Sequence, residues 1–150
     1  MALNMEGEER IEAPIQKVWE ALNDPEVLKQ CIPGCQSLEK TADNELAATV
    51  VLKVGPIKAT FAGAVTLSNL QPPSGYTISG EGKGGIAGFA KGGADVALVE
   101  DGPNTTVLKY TAKADVGGKI AQLGSRLIES TSKKLAGEFF STFNRTVSVA

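Results

Sequence analysis

The chain has 150 residues, with 15 basic and 17 acidic side chains and no histidine. This near balance of charge argues against nucleic acid as a partner, because phosphate binding depends on clustered lysine and arginine. The absence of histidine removes the commonest metal ligand and the commonest general base. No apolar run reaches membrane-spanning length and residues 1–10 lack a signal-peptide core. We therefore expect a cytoplasmic protein with a single domain over residues 1–150.

The first predicted elements are one strand and two short helices. The strand covers Leu3 to Glu12, and Pro14 then opens a helix, because proline suits the first helical turn. One face of this helix is apolar, with side chains at helical spacing: Ile15, Val18, Trp19 and Leu22. Asp24 is the predicted N-cap of the second helix, and Pro25 is its first residue.

Five further strands are predicted from the alternation of apolar and polar side chains, with turns rich in glycine and proline between them. They are residues 45–54, 57–67, 76–81, 94–100 and 105–116. Together with the first strand they predict a curved antiparallel sheet.

A long amphipathic helix is predicted from Lys119 to Arg145, where apolar residues recur every three or four positions. It would be roughly 40 Å long at 1.5 Å per residue, so it needs one extended apolar surface, which the sheet provides. Several side chains that would face the gap are small: Ala48, Ala59, Gly63, Gly80, Ala112, Ala114, Gly124, Thr131 and Ala136. Because protein interiors are densely packed, these residues favour a ligand cavity between sheet and helix. The alternative is that they let the helix lie closer.

The segment 80–93 contains seven glycines. Its first six residues match G-x-G-x-x-G, but no βαβ unit surrounds them, so a dinucleotide site is rejected. We predict a flexible hairpin whose Ile86 and Phe89 gate a pocket or dock on a partner or membrane; alternatively, both lie in the core. Lys83 and Lys91 flank this loop, and they either steer an anionic partner or lipid headgroups or only solvate the surface.

Cys31 and Cys35 are predicted to be buried, reduced thiols. Without histidine or further cysteine they cannot complete a tetrahedral zinc shell, and they lack the base that activates a nucleophilic thiol. No metal site and no catalytic residue are therefore predicted.

Binding of an apolar molecule is the leading functional interpretation, because ligand pockets are typically lined by apolar groups. The predicted pocket lining consists of seven residues: Phe61, Tyr76, Ile78, Tyr110, Leu123, Leu127 and Phe139. A small enzyme would need a polar group inside the pocket, and the inward candidates are Tyr76 and Tyr110.

Several segments together resemble the CoxG family of carbon monoxide dehydrogenase subunits. The resemblance covers residues 5–145 and implies a START-like, polyketide-cyclase-like helix-grip fold, with the order β-α-α-β6-α and an apolar cavity under the last helix. It is carried by Pro14–Trp19, Leu22–Pro25, Cys31–Cys35, Lys53–Ala59, Phe61, Gly63, Gly80–Gly82, Gly85–Gly92 and Gly117–Leu127.

The expected fold class is therefore α+β. In this helix-grip fold a curved antiparallel sheet of about seven strands wraps around a long C-terminal helix, and two short helices follow the first strand. The resemblance further implies an accessory role beside a molybdenum-containing dehydrogenase of the carbon monoxide dehydrogenase type. A lipid or a respiratory quinone would suit the cavity, and no intrinsic cofactor is expected.

Membrane contact is a further implication of the resemblance. Many family members continue past the helix to a C-terminal membrane anchor, whereas this sequence ends at Ala150. We expect peripheral contact with the inner face of the cytoplasmic membrane to come from the domain itself or its partner. The alternatives to a ligand carrier are an assembly factor without ligand and a small cyclase- or dehydratase-like enzyme.

Overall fold

A computed structural model describes residues 1–148, in which seven strands and three α-helices are present. The predicted domain, residues 1–150, has its last two residues outside the described part, and its extent stays a prediction. The elements follow in the order β1 (Ala2–Ile11), α1 (Ile15–Leu22), α2 (Pro25–Cys31), β2 (Cys35–Ala42), β3 (Glu45–Val54), β4 (Ile57–Gln71), β5 (Gly75–Lys83), β6 (Phe89–Glu100), β7 (Thr106–Gly117) and α3 (Ser125–Val147).

The seven strands form one antiparallel sheet in the order β1-β7-β6-β5-β4-β3-β2. The first and last strands of the chain are therefore neighbours, and β1 and β2 are the two edges. The helix α3 lies across the concave face, where Phe139 and Phe140 line one cavity together with residues of β3 to β7. The α+β helix-grip fold predicted from the sequence, with two short helices after the first strand, is confirmed.

The alternation predicted for β3 and β4 is confirmed by their pairing. Ala48 lies opposite Gly63 and Val50 opposite Phe61, and cross-strand partners share a face of the sheet. These four residues line the concave side. Because Ala48 and Gly63 are small, few side-chain atoms cover the concave face of the sheet at this point.

The start of α2 forms as predicted. The Asp24 carboxylate accepts a hydrogen bond from the Glu26 backbone N–H at 3.0 Å, and Pro25 is the first helical residue. Both features satisfy or remove backbone donors that a helix leaves unpaired at its N-terminus.

Two expectations about the strands were incomplete. The strand β2 was missed because in its sequence only Leu38 is buried and no alternation is visible. The glycine-rich segment 80–93 is mostly strand: β5 continues to Lys83 and β6 begins at Phe89. Glycines of neighbouring strands pair there, as Gly80 does with Gly92, so only a short 3-10 helix, Gly85–Ala87, joins the strands.

The prediction of one continuous helix from Lys119 to Arg145 was wrong for its first residues. Residues Lys119–Leu123 form a 3-10 helix, and α3 begins only at Ser125. Gly124 separates them with a φ of +96°, a left-handed conformation that glycine adopts without steric cost. The chain therefore changes direction at Gly124, and the α-helix is about 34 Å long at 1.5 Å per residue.

The core consists of two clusters at opposite ends of the concave face. The first cluster lies near α1 and the C-terminal half of α3, and its largest members are Ile11, Val18, Trp19, Leu22, Tyr76, Leu108 and Phe143. The second lies near the 3-10 helices and comprises Val54, Phe61, Ala87, Val116, Ile120 and Ile128. The buried Thr106 hydroxyl donates to the Ala13 carbonyl at 2.8 Å, so it has a partner inside the first cluster. The space between the two clusters is where cavities occur.

Candidate ligand-binding cavities

Two adjoining cavities lie between the sheet and the helices. The first has a volume of about 280 Å³ and lies beneath Phe139 and Phe140. The second has a volume of about 410 Å³ and lies beside Phe61. Both are lined almost entirely by apolar atoms, and they share the side chains of Ile32, Ala48 and Val65 as walls. The second falls in the range typical of small-molecule sites, about 300–1,000 Å³, and the first lies just below it. An apolar cavity of about 150 Å³ can already bind benzene.

The first cavity is formed by strands β2 to β7 and by all three helices. Its lining consists of Leu22, Leu28, Ile32, Leu38, Leu46, Ala48, Val65, Leu67, Tyr76, Ile78, Ala94, Val96, Leu108, Tyr110, Phe139 and Phe140. Leucine, isoleucine, valine and aromatic side chains dominate this set, so the cavity offers a ligand many dispersion contacts and few hydrogen bonds.

The polar groups of the first cavity are the hydroxyls of Tyr76 and Tyr110. The Tyr76 hydroxyl donates to the Leu22 carbonyl at 3.2 Å in a buried position, so its proton is already used. Burial raises the pKa of Tyr76 far above its usual range, because the interior disfavours the charged phenolate. The pKa of Tyr110 is also raised, first by burial and then by the negative charge of Glu9. Both phenols are therefore neutral at pH 7.

An internal reporter lies next to the first cavity. The indole of Trp19, which is the only tryptophan of the chain, lies with its ring centroid 5.4 Å from that of Tyr76. Since Tyr76 is part of the cavity wall, a quenching ligand bound there would be within short range of the indole.

The predicted pocket residues fall into three groups. Four of them, Tyr76, Ile78, Tyr110 and Phe139, lie together in the wall of the first cavity, and Phe61 lies in the wall of the second. Their contact with a ligand stays a prediction.

The remaining two predicted pocket residues, Leu123 and Leu127, line neither cavity. They pack against the second core cluster, and a Cβ atom placed on Gly55 would lie only 2.7 Å from Leu127 Cδ2. The reason is the break at Gly124, which turns this segment onto the β3–β4 hairpin instead of along the cavity.

The predicted gate residues lie away from both cavities. Ile86 is 83% exposed at the tip of the β5–β6 connection and Phe89 is 40% exposed. Phe89 points from the convex face, because its neighbour Ala90 lines the second cavity and successive strand residues face opposite sides. Its ring covers Gly117 of β7, where an added Cβ would lie 2.3 Å from the ring. Neither side chain contacts a cavity, and their role in docking stays a prediction.

Several wall residues were not predicted from the sequence. Leu28, Ile32 and Pro33 come from α2 and the turn that follows it, and Ala48 contacts both cavities. The apolar face of α2 was a usable signal, but α2 packs against β2 and α3, and the contact with α3 is one between segments distant in sequence. Ala48 was recognised as small and inward, and the structure shows that it separates the two cavities.

The two cysteines differ in their surroundings, although both are free thiols. Cys31 is buried at the end of α2. Burial raises the pKa of its thiol, and a hydrogen bond with the side chain of Thr146 opposes this in part. Cys35 is half-buried, and its Sγ donates to the Ser37 carbonyl at 3.4 Å. The expectation of two buried thiols therefore holds for Cys31 and only partly for Cys35.

Two other kinds of site are absent from residues 1–148. No group of three or more histidine, cysteine, aspartate or glutamate side chains in this part is placed to hold a metal ion. None of its helices combines the length and the apolar character needed to cross a membrane.

Comparison with solved structures places the fold in a known class. A conserved protein from Geobacillus kaustophilus is 30% identical, with a TM-score of 0.91 over 97% of this chain and 95% of that chain. A START superfamily protein from Mycobacterium smegmatis is 13% identical, with a TM-score of 0.73 and 96% of each chain covered. The Zhui aromatase/cyclase from Streptomyces sp. R1128 is 13% identical, with a TM-score of 0.71 over 98% of this chain and 94% of that one. The chain therefore has a START-like, polyketide-cyclase-like helix-grip fold.

The family assignment is more specific than the fold. Residues 7–148 match the family model of CoxG, the carbon monoxide dehydrogenase subunit of that name. This match covers nearly the whole chain, and the chain belongs to the CoxG family. A search of the curated proteins gives no match.

Proposed function

We propose that the chain binds an apolar small molecule, a quinone or a lipid, in its two cavities. We further propose that it serves as an accessory protein of a molybdenum-containing dehydrogenase of the carbon monoxide dehydrogenase type. The observation that carries this proposal is the pair of adjoining apolar cavities, of about 280 and 410 Å³, inside a member of the CoxG family.

The cavity walls favour binding over catalysis. Burial of about 300 Å² of ligand surface would contribute roughly 7 kcal/mol before the costs of association, so apolar contact alone can supply a large share of the binding free energy. Proton transfer would require a polar group with a free proton or lone pair facing the ligand. The Tyr76 hydroxyl donates its proton to the Leu22 carbonyl, and burial raises the pKa of Tyr110, the other hydroxyl in this wall. Neither phenol is therefore a ready proton donor, and this wall supports the cyclase alternative poorly.

The family name supports the choice of partner. CoxG is named as one of the subunits of carbon monoxide dehydrogenase, and a protein that carries an apolar electron acceptor could supply it to such a redox enzyme. A quinone is an apolar molecule that accepts electrons, and these cavities have the size and polarity to hold its ring.

Peripheral membrane contact is the third part of the proposal, and it rests on one end of the molecule. The exposed Ile86 lies at this end, beside the 3-10 helix that begins at Lys119, because Gly88 and Gly118 are in contact there. The β3–β4 hairpin is at the same end, with Lys53 paired to Lys58 across the turn and both side chains exposed. Each lysine near an anionic bilayer contributes about 1 kcal/mol of attraction, and an exposed isoleucine can insert among the headgroups.

Ligand carriage is tested by purifying the protein from its own host. Native mass spectrometry and organic extraction should show a quinone or lipid at near-stoichiometric amount, and the protein should co-purify with a molybdenum-containing dehydrogenase. An empty protein that still captures the dehydrogenase would favour an assembly factor, and it would refute the carrier.

Membrane contact is tested by co-sedimentation with vesicles of phosphatidylglycerol and phosphatidylcholine at low salt. We expect Ile86→Asp to lose binding. Val99→Asp is the matched control, because Val99 of β6 is also an exposed, β-branched apolar side chain, at 47% exposure, but lies near the opposite end of the sheet. Equal binding of both variants would contradict docking through Ile86, and binding that is insensitive to salt would contradict the role of the lysines.

A further inference from the structure

A third hollow lies outside the two apolar cavities, in the cleft between the edge strand β1 and the helix α3. Its volume is about 470 Å³. Unlike the inner cavities it has a mixed polar and apolar lining, which consists of Asn4, Met5, Glu6, Glu9, Tyr110, Glu129, Lys133, Ala136 and Gly137.

Tyr110 is the residue that this cleft shares with the first cavity. Its ring lies across Gly7, its cross-strand partner in β1, where an added Cβ would be 2.7 Å from the hydroxyl oxygen. On the other side the ring stacks on Phe140, with centroids 5.4 Å apart. The ring of Tyr110 is thus the partition between the apolar interior and the polar cleft.

Few polar contacts hold α3 against β1 along the cleft. Asn144 ties α3 to the end of β1, because it accepts a hydrogen bond from the Glu12 N–H at 3.1 Å and donates one to the Arg10 carbonyl at 3.0 Å. Along the cleft itself, among the residues that the structure describes, no hydrogen bond or ion pair joins α3 to β1. The helix is therefore fastened at one end and only packed along the cleft.

Gly137 keeps the outer side of the cleft open. Apart from the neighbouring backbone of α3 itself, a Cβ atom placed there would meet no atom within 4 Å, and the residue is exposed in the middle of α3. A glycine in a helix interior lowers helix stability, and here it leaves room directly outside the Tyr110 partition.

We propose that the cleft between β1 and α3 is a portal of the first cavity, and that Tyr110 is its movable wall. An apolar ligand would pass between the strand and the helix while the ring of Tyr110 rotates away from Gly7. Polar groups at the end of the ligand would then lie among Glu9, Glu129 and Lys133. This inference rests on the proposed binding of an apolar molecule inside.

The test is the rate of ligand exchange, measured with menadione, an apolar naphthoquinone, through quenching of Trp19 fluorescence in stopped flow. Gly137→Phe should close the portal. Ser141→Phe is the matched control, because Ser141 is an exposed, uncharged residue one turn further along α3 and does not line the cleft. Circular dichroism confirms the fold of each variant, and Ala136→Phe, from the same lining, replaces Gly137→Phe if the latter does not fold.

Association and dissociation should both slow by about tenfold or more in Gly137→Phe, with little change in Kd, since a gate changes rates and not the equilibrium. Tyr110→Ala should speed both. If the wild type takes up menadione normally but Gly137→Phe has unchanged rates, the portal is refuted and the proposed function is not. A weaker Kd with an unchanged association rate in Gly137→Phe would refute the portal in the same way. If wild type shows no uptake of menadione or of a long-chain quinone, the proposed function fails and the portal fails with it.

Discussion

Ala48→Phe is the substitution that should separate ligand binding from folding most clearly. Ala48 lies on the concave face of β3, opposite Leu38 and Gly63, and lines both inner cavities. A phenylalanine there places a ring where the ligand would lie. Because each cavity is larger than the roughly 150 Å³ that benzene needs, the ring should fit without the overpacking cost of about 1–3 kcal/mol.

The expected effect can be expressed as a thermal shift. A ligand at 100 times its Kd stabilises the folded protein by about 2.7 kcal/mol, which for a chain of this size raises Tm by about 5–11 °C. If Ala48→Phe weakens binding by a factor of about 100, the same ligand concentration contributes only about 0.4 kcal/mol, or a shift of about 1–2 °C.

The assay is thermal unfolding followed by circular dichroism, with and without menadione. Ala47→Phe is the matched control, because Ala47 precedes Ala48 on the same strand but faces the convex side, where it lines neither cavity. We expect the control to keep the full shift. A full shift in Ala48→Phe, or an equal loss in both variants, would refute binding in these cavities.

Three further outcomes are expected. Gly7→Ala should displace the ring of Tyr110, since the new Cβ would lie 2.7 Å from its hydroxyl, and should cost about 1–3 kcal/mol in urea unfolding; unchanged stability would contradict this contact. Burial raises the pKa values of Cys31, Tyr76 and Tyr110 in the folded protein. The contribution of these groups to the free energy of unfolding is therefore complete below their ordinary pKa values, 9.0 for the thiol and 10.0 for the phenols, and it falls as the pH rises above those values. Urea titrations across this range should show the fall, and a smaller one in Tyr76→Phe. Iodoacetamide should alkylate Cys35 before Cys31, whose thiol is buried; peptide mapping that finds equal rates would contradict this.

The parts of the fold that were predictable depend on contacts close in sequence. The N-cap at Asp24 requires only its neighbours, and the hairpin at Gly55 follows from two alternating runs beside a tight turn. The break at Gly124 could not be read in the same way. A glycine in an amphipathic pattern is compatible with a helix interior, and only tertiary packing decides that it takes a left-handed φ instead.

The candidate site was predictable to the extent that strand alternation defines it. Tyr76, Ile78 and Tyr110 lie in strands, where the residue's parity decides which face it occupies, and all three reach the first cavity. Ile32 joins the same wall from the turn after α2, and its position depends on how α2 docks over the sheet. Neither the composition nor the periodicity of the sequence predicts how α2 packs.

The break at Gly124 also decides which part of the chain sets the size of the ligand. Before the break, Ile120 closes the end of the second cavity, and Leu127 just after it packs onto Gly55 of the β3–β4 turn. A larger side chain at position 127 would press on that turn and lower the stability of the fold. It would not fill a cavity, because Leu127 lines neither of them. The free volume lies over Ala48, where a larger side chain would fill the cavities. Gly63 offers no such room, because a Cβ atom there would lie 2.5 Å from the Glu81 carbonyl oxygen of β5. Ligand size is therefore limited mainly by the small side chain at position 48 of the sheet, which lines both cavities.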